Sequence, residues 1–171
     1  MSHEHHRRTA AASIGVAIIT VSDTRTQADD TSGRLARELF EGAGHVVRDQ
    51  RIVKDEPDHV REVVRELAAR GDVRAVLLTG GTGISRRDRT FEAISSLLDR
   101  RLDGFGEIFR SLSYAEIGSS AMLSRAVAGL IGDTAVFSVP GSTAAVRLAL
   151  TRLVLPEVGH LVGEIDKDHA P

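Results

Sequence analysis

The feature that most restricts the fold of this 171-residue chain is an alternation. Short apolar runs rich in β-branched residues are followed, one after another, by stretches with apolar residues at helical spacing. Ile14 to Val21 (IGVAIITV) has almost no polar alternation, the pattern of a strand covered on both faces. Asp29, Asp30, Thr31 and Ser32 then offer N-caps to a helix carrying Leu35, Leu39, Phe40 and Ala43, and Gly44 stands where a terminating glycine belongs. His45 to Val53 reads as a second strand, alternating enough to lie at an outer position. Pro57 suits the first turn of a second helix, with Val60, Val63, Val64 and Leu67 as its stripe and Gly71 as its end. Arg74 to Thr79 is a third strand, and a helix is expected from about Thr90 to Leu98. Three such alternations imply right-handed βαβ units, and therefore a mostly parallel sheet with helices on both faces.

The remainder departs from that rhythm. Gly104 to Ala126 reads as two short helices broken near Gly118. Two strands, Ala126 to Ile131 and Thr134 to Val139, flank Gly132-Asp133 as a hairpin, which makes one strand antiparallel in a mixed sheet. Pro140-Gly141-Ser142 opens a last long helix, and Pro156 is expected to separate it from a short C-terminal helical turn. The apolar fraction of 42% supplies a core for one α/β domain, residues 14–164. Residues 1–13 are expected to form a disordered N-terminal tail and 165–171 a C-terminal tail.

Several function classes are excluded at once. Lys plus Arg number 22 and Asp plus Glu 24, so the formal charge is 22 − 24 = −2, without the cationic excess that nucleic-acid binding by counterion release needs. Cysteine is absent, which removes thiolate nucleophiles, zinc fingers and iron–sulfur ligation. The N-terminus is charged, and no apolar run reaches the ~18 residues of a membrane span, so a cytoplasmic protein is expected. His3, His5 and His6 read as part of a frayed terminus rather than a metal site. His45, His59 and His160 fall in no triad or metal-ligand pattern.

In open α/β sheets ligands gather beyond the carboxyl ends of the strands. Those ends carry Ser22-Asp23, Asp55-Glu56, Thr79-Gly80-Gly81-Thr82-Gly83 and Pro140-Gly141-Ser142. Three glycines in five residues let a backbone approach an anion closely and present N–H groups to it, or they simply make a tight turn. The loop lacks both the Gly-Lys-Ser/Thr ending of a Walker loop and the third glycine of a dinucleotide fingerprint. Arg86, Arg87 and Arg89 next to it add charge for phosphate, or form a solvated face, and Asp88 among them is able to hold a divalent cation. Asp55 and Asp23 each read either as site acids or as helix caps. Glu107, which follows Gly104-Phe105-Gly106 at a helix start, points at a ligand or back at the N-terminal amides. Ser124-Arg125 binds an anion or pairs with a carboxylate.

Taken in order, LLTGGTGISRRDRTFEA (77–93), GFGEIFRSLSYAEIG (104–118), AMLSRAVAG (121–129) and FSVPGS (137–142), together with VSDTR (21–25) and DDTSG (29–33), resemble the MoaB/Mog family of molybdenum cofactor biosynthesis. The resemblance implies a three-layer α/β/α sandwich with one antiparallel strand, assembled as a homotrimer or a dimer of trimers. It implies Mg²⁺-dependent adenylylation of molybdopterin by ATP, with pyrophosphate released, ahead of molybdate insertion by a partner protein. The family's two activity-linked acids match Asp55 and Asp88, which are expected to hold Mg²⁺ directly or through water. Thr79, the amides of Gly80 to Gly83, Arg87, Ser124 and the Pro140-Gly141-Ser142 turn are expected to bind phosphate, and Ser22, Asp23 and Glu107 to line the pterin side. Phe91 stands where Mog-type members often carry proline, which points to the MoaB branch. The resemblance also leaves a non-catalytic molybdopterin carrier and an oligomeric scaffold as alternatives.

Overall fold

A computed structural model describes residues 13–167. The expectations for the two tails, His3, His5 and His6 included, fall largely outside the described residues. Six strands form one sheet: β1 (Gly15–Val21), β2 (Val46–Val53), β3 (Ala75–Thr79), β4 (Arg100–Arg101), β5 (Val127–Ile131) and β6 (Thr134–Val139). Their order is β2-β1-β3-β6-β5-β4. The first four in that order run parallel, and β5 runs antiparallel to β6, as the hairpin required. β2 is at the edge, in agreement with its partly polar sequence.

The helices are α1 (Thr31–Gly42), α2 (Pro57–Ala68), α3 (Thr90–Ser95), α4 (Asp103–Ile117), α5 (Thr143–Ala149) and α6 (Leu155–Lys167). Side chains alternate across the strands and build two cores. Val16, Ile18, Leu77 and Phe137 face α1, α4, α5 and α6, whose Phe40 and Phe109 are fully buried. Ala17, Ile19, Val76, Leu78 and Val136 face α2 and α3, whose Val60, Val64, Leu67 and Ile94 are inaccessible. Each large side chain so buried contributes roughly 1.5–3 kcal/mol of transfer free energy, which is why the central strands tolerate almost no polar residue. The molecule is therefore the three-layer α/β/α sandwich with a mixed sheet.

Four details depart from the sequence reading. The break at Gly118 is present, with φ +61, but it divides a 15-residue α4 from a 3₁₀ turn, Gly118–Leu123. The third helix stops at Ser95 rather than Leu98, and β4 follows on two exposed arginines with no local strand signal. It pairs because residue 129 is glycine: a Cβ there would lie 2.2 Å from the Arg100 carbonyl oxygen. Pro156 does not divide the last helix. A π-helical stretch, Leu150–Val154, precedes it and lets α5 run into α6, absorbing the missing N–H and the ring without a break. α6 then continues to Lys167, into residues expected to be tail.

Candidate functional site

The parallel strands end level with one another. Thr20 lies beside Thr79 and Thr79 beside Val139, so the loops after β1, β3 and β6 emerge together, and the Ser22 amide donates to the Val53 carbonyl (2.8 Å) to bring in the end of β2. The loop after β3 is shaped by two left-handed residues, Gly80 (φ +103) and Gly81 (φ +64). A side chain on Gly80 would strike the Val21 carbonyl oxygen at 2.3 Å, and one on Gly81 would meet Thr90 Oγ1 at 2.1 Å and Asp55 Oδ2 at 2.8 Å. The Pro140-Gly141-Ser142 turn lies directly against this loop: an ideal Cβ on Gly141 falls 3.1 Å from Gly80 Cα. Buried Thr79 donates to the Pro140 carbonyl (3.4 Å), and Ser32 of α1 donates to the Gly141 carbonyl (2.7 Å).

Asp55 does not cap a helix. The cap position of α2 is Glu56, with no side-chain cap bond, while Asp55 Oδ1 accepts from Thr90 Oγ1 (3.1 Å) at the start of α3. Burial, then the neighbouring charges of Asp88 and Asp23, push the Asp55 carboxyl above its ordinary range, against the Thr90 hydroxyl and the Arg89 amide, which favour its charged form. Asp23 receives the Asp55 amide (3.2 Å) on one oxygen and Arg87 Nη2 (2.7 Å) on the other. Asp88 accepts from the amide (3.2 Å) and hydroxyl (2.5 Å) of Ser85, and it sits close enough to Gly83 that a Cβ there would lie 2.6 Å from its Oδ2. Three carboxylates, a glycine loop and an arginine are thus gathered at one sheet edge.

Not every expected role survives. The Gly80 amide donates to the Val139 carbonyl (3.1 Å), so it extends the β3–β6 ladder and is not available to phosphate. The amides of Gly81, Thr82, Gly83 and Ile84 donate to no protein group among the described residues, although Thr82 is buried. Ser142 Oγ caps α5 by accepting the Ala145 amide (3.1 Å), and Ser22 Oγ accepts the Thr24 and Arg25 amides (3.3 and 3.1 Å), so both hydroxyls serve their own turns. Glu107 is exposed on α4 and does not cap it. Its neighbour Gly106 abuts the Ala126 carbonyl oxygen, which would lie only 2.7 Å from a Cβ on that glycine, and the close approach brings Glu107 to the same end of the sheet as Arg125. Ser124 closes the 3₁₀ turn through its amide (3.0 Å to the Ala121 carbonyl). Arg125 pairs with Glu92 and takes up loop carbonyls. Thr90, which touches Asp55 directly, carried no signal in the sequence beyond its place at a helix start.

Among the described residues no group of three or more His, Cys, Asp or Glu is arranged to hold a metal ion. The oxygen donors of Asp55 and Asp88 still suit Mg²⁺, which is commonly held by one or two carboxylates together with substrate phosphates. Burial is the main cause of the raised Asp55 carboxyl, and the like charges of Asp88 and Asp23 add to it; a cation bound between them would offset that charge.

A doubly covered mixed sheet with this loop cluster at its carboxyl edge defines an α/β domain of the kind that takes its ligands beyond the ends of its strands. The profile of the family described as "Probable molybdopterin binding domain" matches residues 17–160, so the chain belongs to that family of molybdenum cofactor biosynthesis proteins. It is 52% identical to the molybdenum cofactor biosynthesis protein B of Halalkalibacterium halodurans, over 98% of this chain and 99% of that protein. A crystal structure of a molybdenum cofactor biosynthesis protein B superposes with a TM-score of 0.90 at 51% identity, covering 92% of this chain and 99% of that one. The tungsten cofactor synthesizing protein MoaB from Pyrococcus furiosus gives 0.81 at 37%, covering 91% and 98%. The likeness to MoaB expected from the sequence is shown, and with it a place in molybdenum cofactor biosynthesis.

Proposed function

We propose that the chain binds molybdopterin and adenylylates it with ATP and Mg²⁺, releasing pyrophosphate. The observation that carries this reading is the run of four loop amides, Gly81 to Ile84, without a protein acceptor among the described residues, flanked by Asp55 at Gly81 and Asp88 at Gly83. Such a loop offers N–H groups to phosphate oxygens while two carboxylates stand within a residue's reach.

In the reaction an oxygen of the pterin's terminal phosphate attacks the α-phosphorus of ATP. A new P–O bond forms, the bond to the bridging α–β oxygen breaks, and pyrophosphate leaves with that electron pair. No protein nucleophile is required, so the chain's contribution is to hold two polyanions in line and to stabilise the charge gathering on the leaving group. The amides of Gly81, Thr82, Gly83 and Ile84 bind phosphate oxygens, and Arg87, 79% exposed and paired with Asp23, exchanges that partner for phosphate. Asp55 and Asp88 are the residues that would hold Mg²⁺, which when bound neutralises phosphate charge. Thr90 and the Arg89 amide favour the charged form of Asp55, against the burial that raises its carboxyl. Asp23 and Glu107 line the pterin side.

Self-association, as a homotrimer or a dimer of trimers, is part of the same reading. Ile108, Tyr114 and Ile117 of α4, with Met122 and Leu123 after it, account for five of the seven exposed large apolar residues among those described. Of these, Ile108 lines an apolar groove of about 580 Å³ between the start of α4 and α6. Product would pass to a molybdenum-insertion partner.

The test mixes purified protein with molybdopterin, ATP and Mg²⁺ and looks for adenylylated pterin by mass spectrometry. Asp55→Asn and Asp88→Asn should each abolish product while pterin binding is retained. If wild-type protein binds pterin yet yields no adenylylated product, the chain is a carrier and the adenylylation reading is wrong.

A further inference from the structure

The loop that follows β3 has an organiser outside itself. Arg125, just before β5, donates from Nε to the Thr82 carbonyl (2.9 Å) and from Nη2 to the Asp88 carbonyl (3.0 Å) and to the Gly83 carbonyl. Its Nη1 pairs with Glu92, and its guanidinium carbon lies 5.0 Å from the centroid of the Phe91 ring. The side chain is 24% exposed. Only an arginine has enough donors in a rigid plane to serve three carbonyls and a carboxylate at once. Four of its five N–H groups are committed to protein acceptors, which leaves little for a ligand.

The carbonyls matter because of what stands behind them. In a trans peptide the C=O and the next residue's N–H point in opposite directions, and no cis bond occurs among the described residues. The peptide between Asp88 and Arg89 is held in this way, with its carbonyl on Arg125 and its N–H turned to the other side. By the same geometry the carbonyls of Thr82 and Gly83 on Arg125 turn the N–H groups of Gly83 and Ile84 away from it, and those two amides meet no protein acceptor among the described residues.

We propose that Arg125 is the positioning residue of the phosphate loop, drawing the carbonyls of Thr82, Gly83 and Asp88 to one side so that the Gly83 and Ile84 amides are presented to phosphate and Asp88 is fixed opposite Asp55. The proposal deepens the adenylylation reading and rests on it. Arg125 acts through the loop and touches no substrate. Phe91 and Glu92 hold the guanidinium in place. Although burial works against it, the Arg125 hydrogen bond, helped by the backbone amide and by the charges of Arg125 and Arg89, keeps the Glu92 carboxyl below its ordinary range. The aromatic at position 91 is thus a working part of the clamp.

The variant to make is Arg125→Lys, whose single ammonium cannot span the four acceptors, with Arg125→Ala for rescue. Amide hydrogen exchange read by NMR should quicken about 10-fold or more at Asp88 and Arg89, with Ile18 and Leu77 in the sheet unchanged. In the adenylylation assay kcat should fall about 10- to 100-fold, the size expected when reacting groups are misplaced by about an ångström, while KM for molybdopterin moves less than about threefold. Millimolar guanidinium, but not methylammonium, should restore part of the kcat of Arg125→Ala. Unchanged exchange at Asp88 and Arg89, or a kcat within about threefold of wild type, overturns the proposal. Wild-type protein that makes no product overturns the adenylylation reading instead, and the exchange arm then decides by itself whether Arg125 sets the loop.

Discussion

Replacing Gly33 by alanine should destabilise the protein although the residue lies in a helix. In an ordinary helix interior the change from glycine gains up to about 1 kcal/mol in propensity. Here the new Cβ would lie 2.2 Å from Asp30 Oδ2 and 2.8 Å from Thr20 Oγ1. Asp30, 4% exposed, caps α1 by accepting the Gly33 amide (2.9 Å), and it receives the hydroxyl of buried Thr20 (2.6 Å). Relieving the clash moves Asp30, and both bonds are lost. An N-cap contributes about 0.5–2 kcal/mol, and a hydrogen bond to a charged group about 1.5–3 kcal/mol. Against the propensity gain, the net loss is about 1–4 kcal/mol. The measurement is urea denaturation followed by circular dichroism at fixed protein concentration, on Gly33→Ala, Asp30→Ala and the double variant. Coupling is expected, because in the Asp30→Ala background the obstructing carboxylate is gone and the penalty of Gly33→Ala should shrink by at least about 1 kcal/mol. A Gly33→Ala protein more stable than wild type, or an equal penalty in both backgrounds, would refute the argument. The consequence reaches the site, since Ser32 of the same helix turn holds the Gly141 carbonyl against the glycine loop.

Other perturbations probe other parts. His45 is buried, stacks edge-on against Phe40, and accepts the Ile14 amide on Nδ1 (3.4 Å), and burial lowers its pKa below the usual 6.5. The unfolded chain therefore binds the proton more readily, so the stability due to the neutral ring is complete above pH 6.5 and is lost as pH falls through the lowered folded value. Denaturation midpoints compared at pH 7.5 and 5.5 should drop in wild type and drop less in His45→Gln. Gly15→Ala should be severe, about 2–3 kcal/mol or more, because its Cβ would fall 1.8 Å from the Asp72 carbonyl oxygen, and the melting temperature should show it. If the proposed self-association uses the end of α4, Ile117→Asp should shift sedimentation toward smaller species without unfolding the protein, since Ile117 is 53% exposed there. An unchanged sedimentation coefficient would move the self-association surface elsewhere.

Much of this protein is written locally in its sequence. The β-branched runs specify β1, β3 and β6, because a strand buried on both faces excludes polar residues whatever the rest of the chain does. The glycine after α1, the proline starting α2 and the Gly132-Asp133 turn fix element ends through φ preferences that act within a few residues. The loops that carry the site were legible for the same reason, since they stand where strands end. What each site residue does there was not. Asp55 reads equally as a cap until Thr90, 35 residues on, takes its carboxylate, and Arg125 reads as an anion ligand until Thr82, 43 residues back, takes its Nε. Gly80 looks like part of a phosphate nest until β6 claims its amide. Pro156 reads as a break until the preceding turn widens into a π-helix to carry it. Sequence determines which backbone conformations and which faces are available, because those energies are local and additive. Only tertiary structure decides which of several competing acceptors a donor meets, because that choice depends on parts of the chain brought together by burial of the two cores.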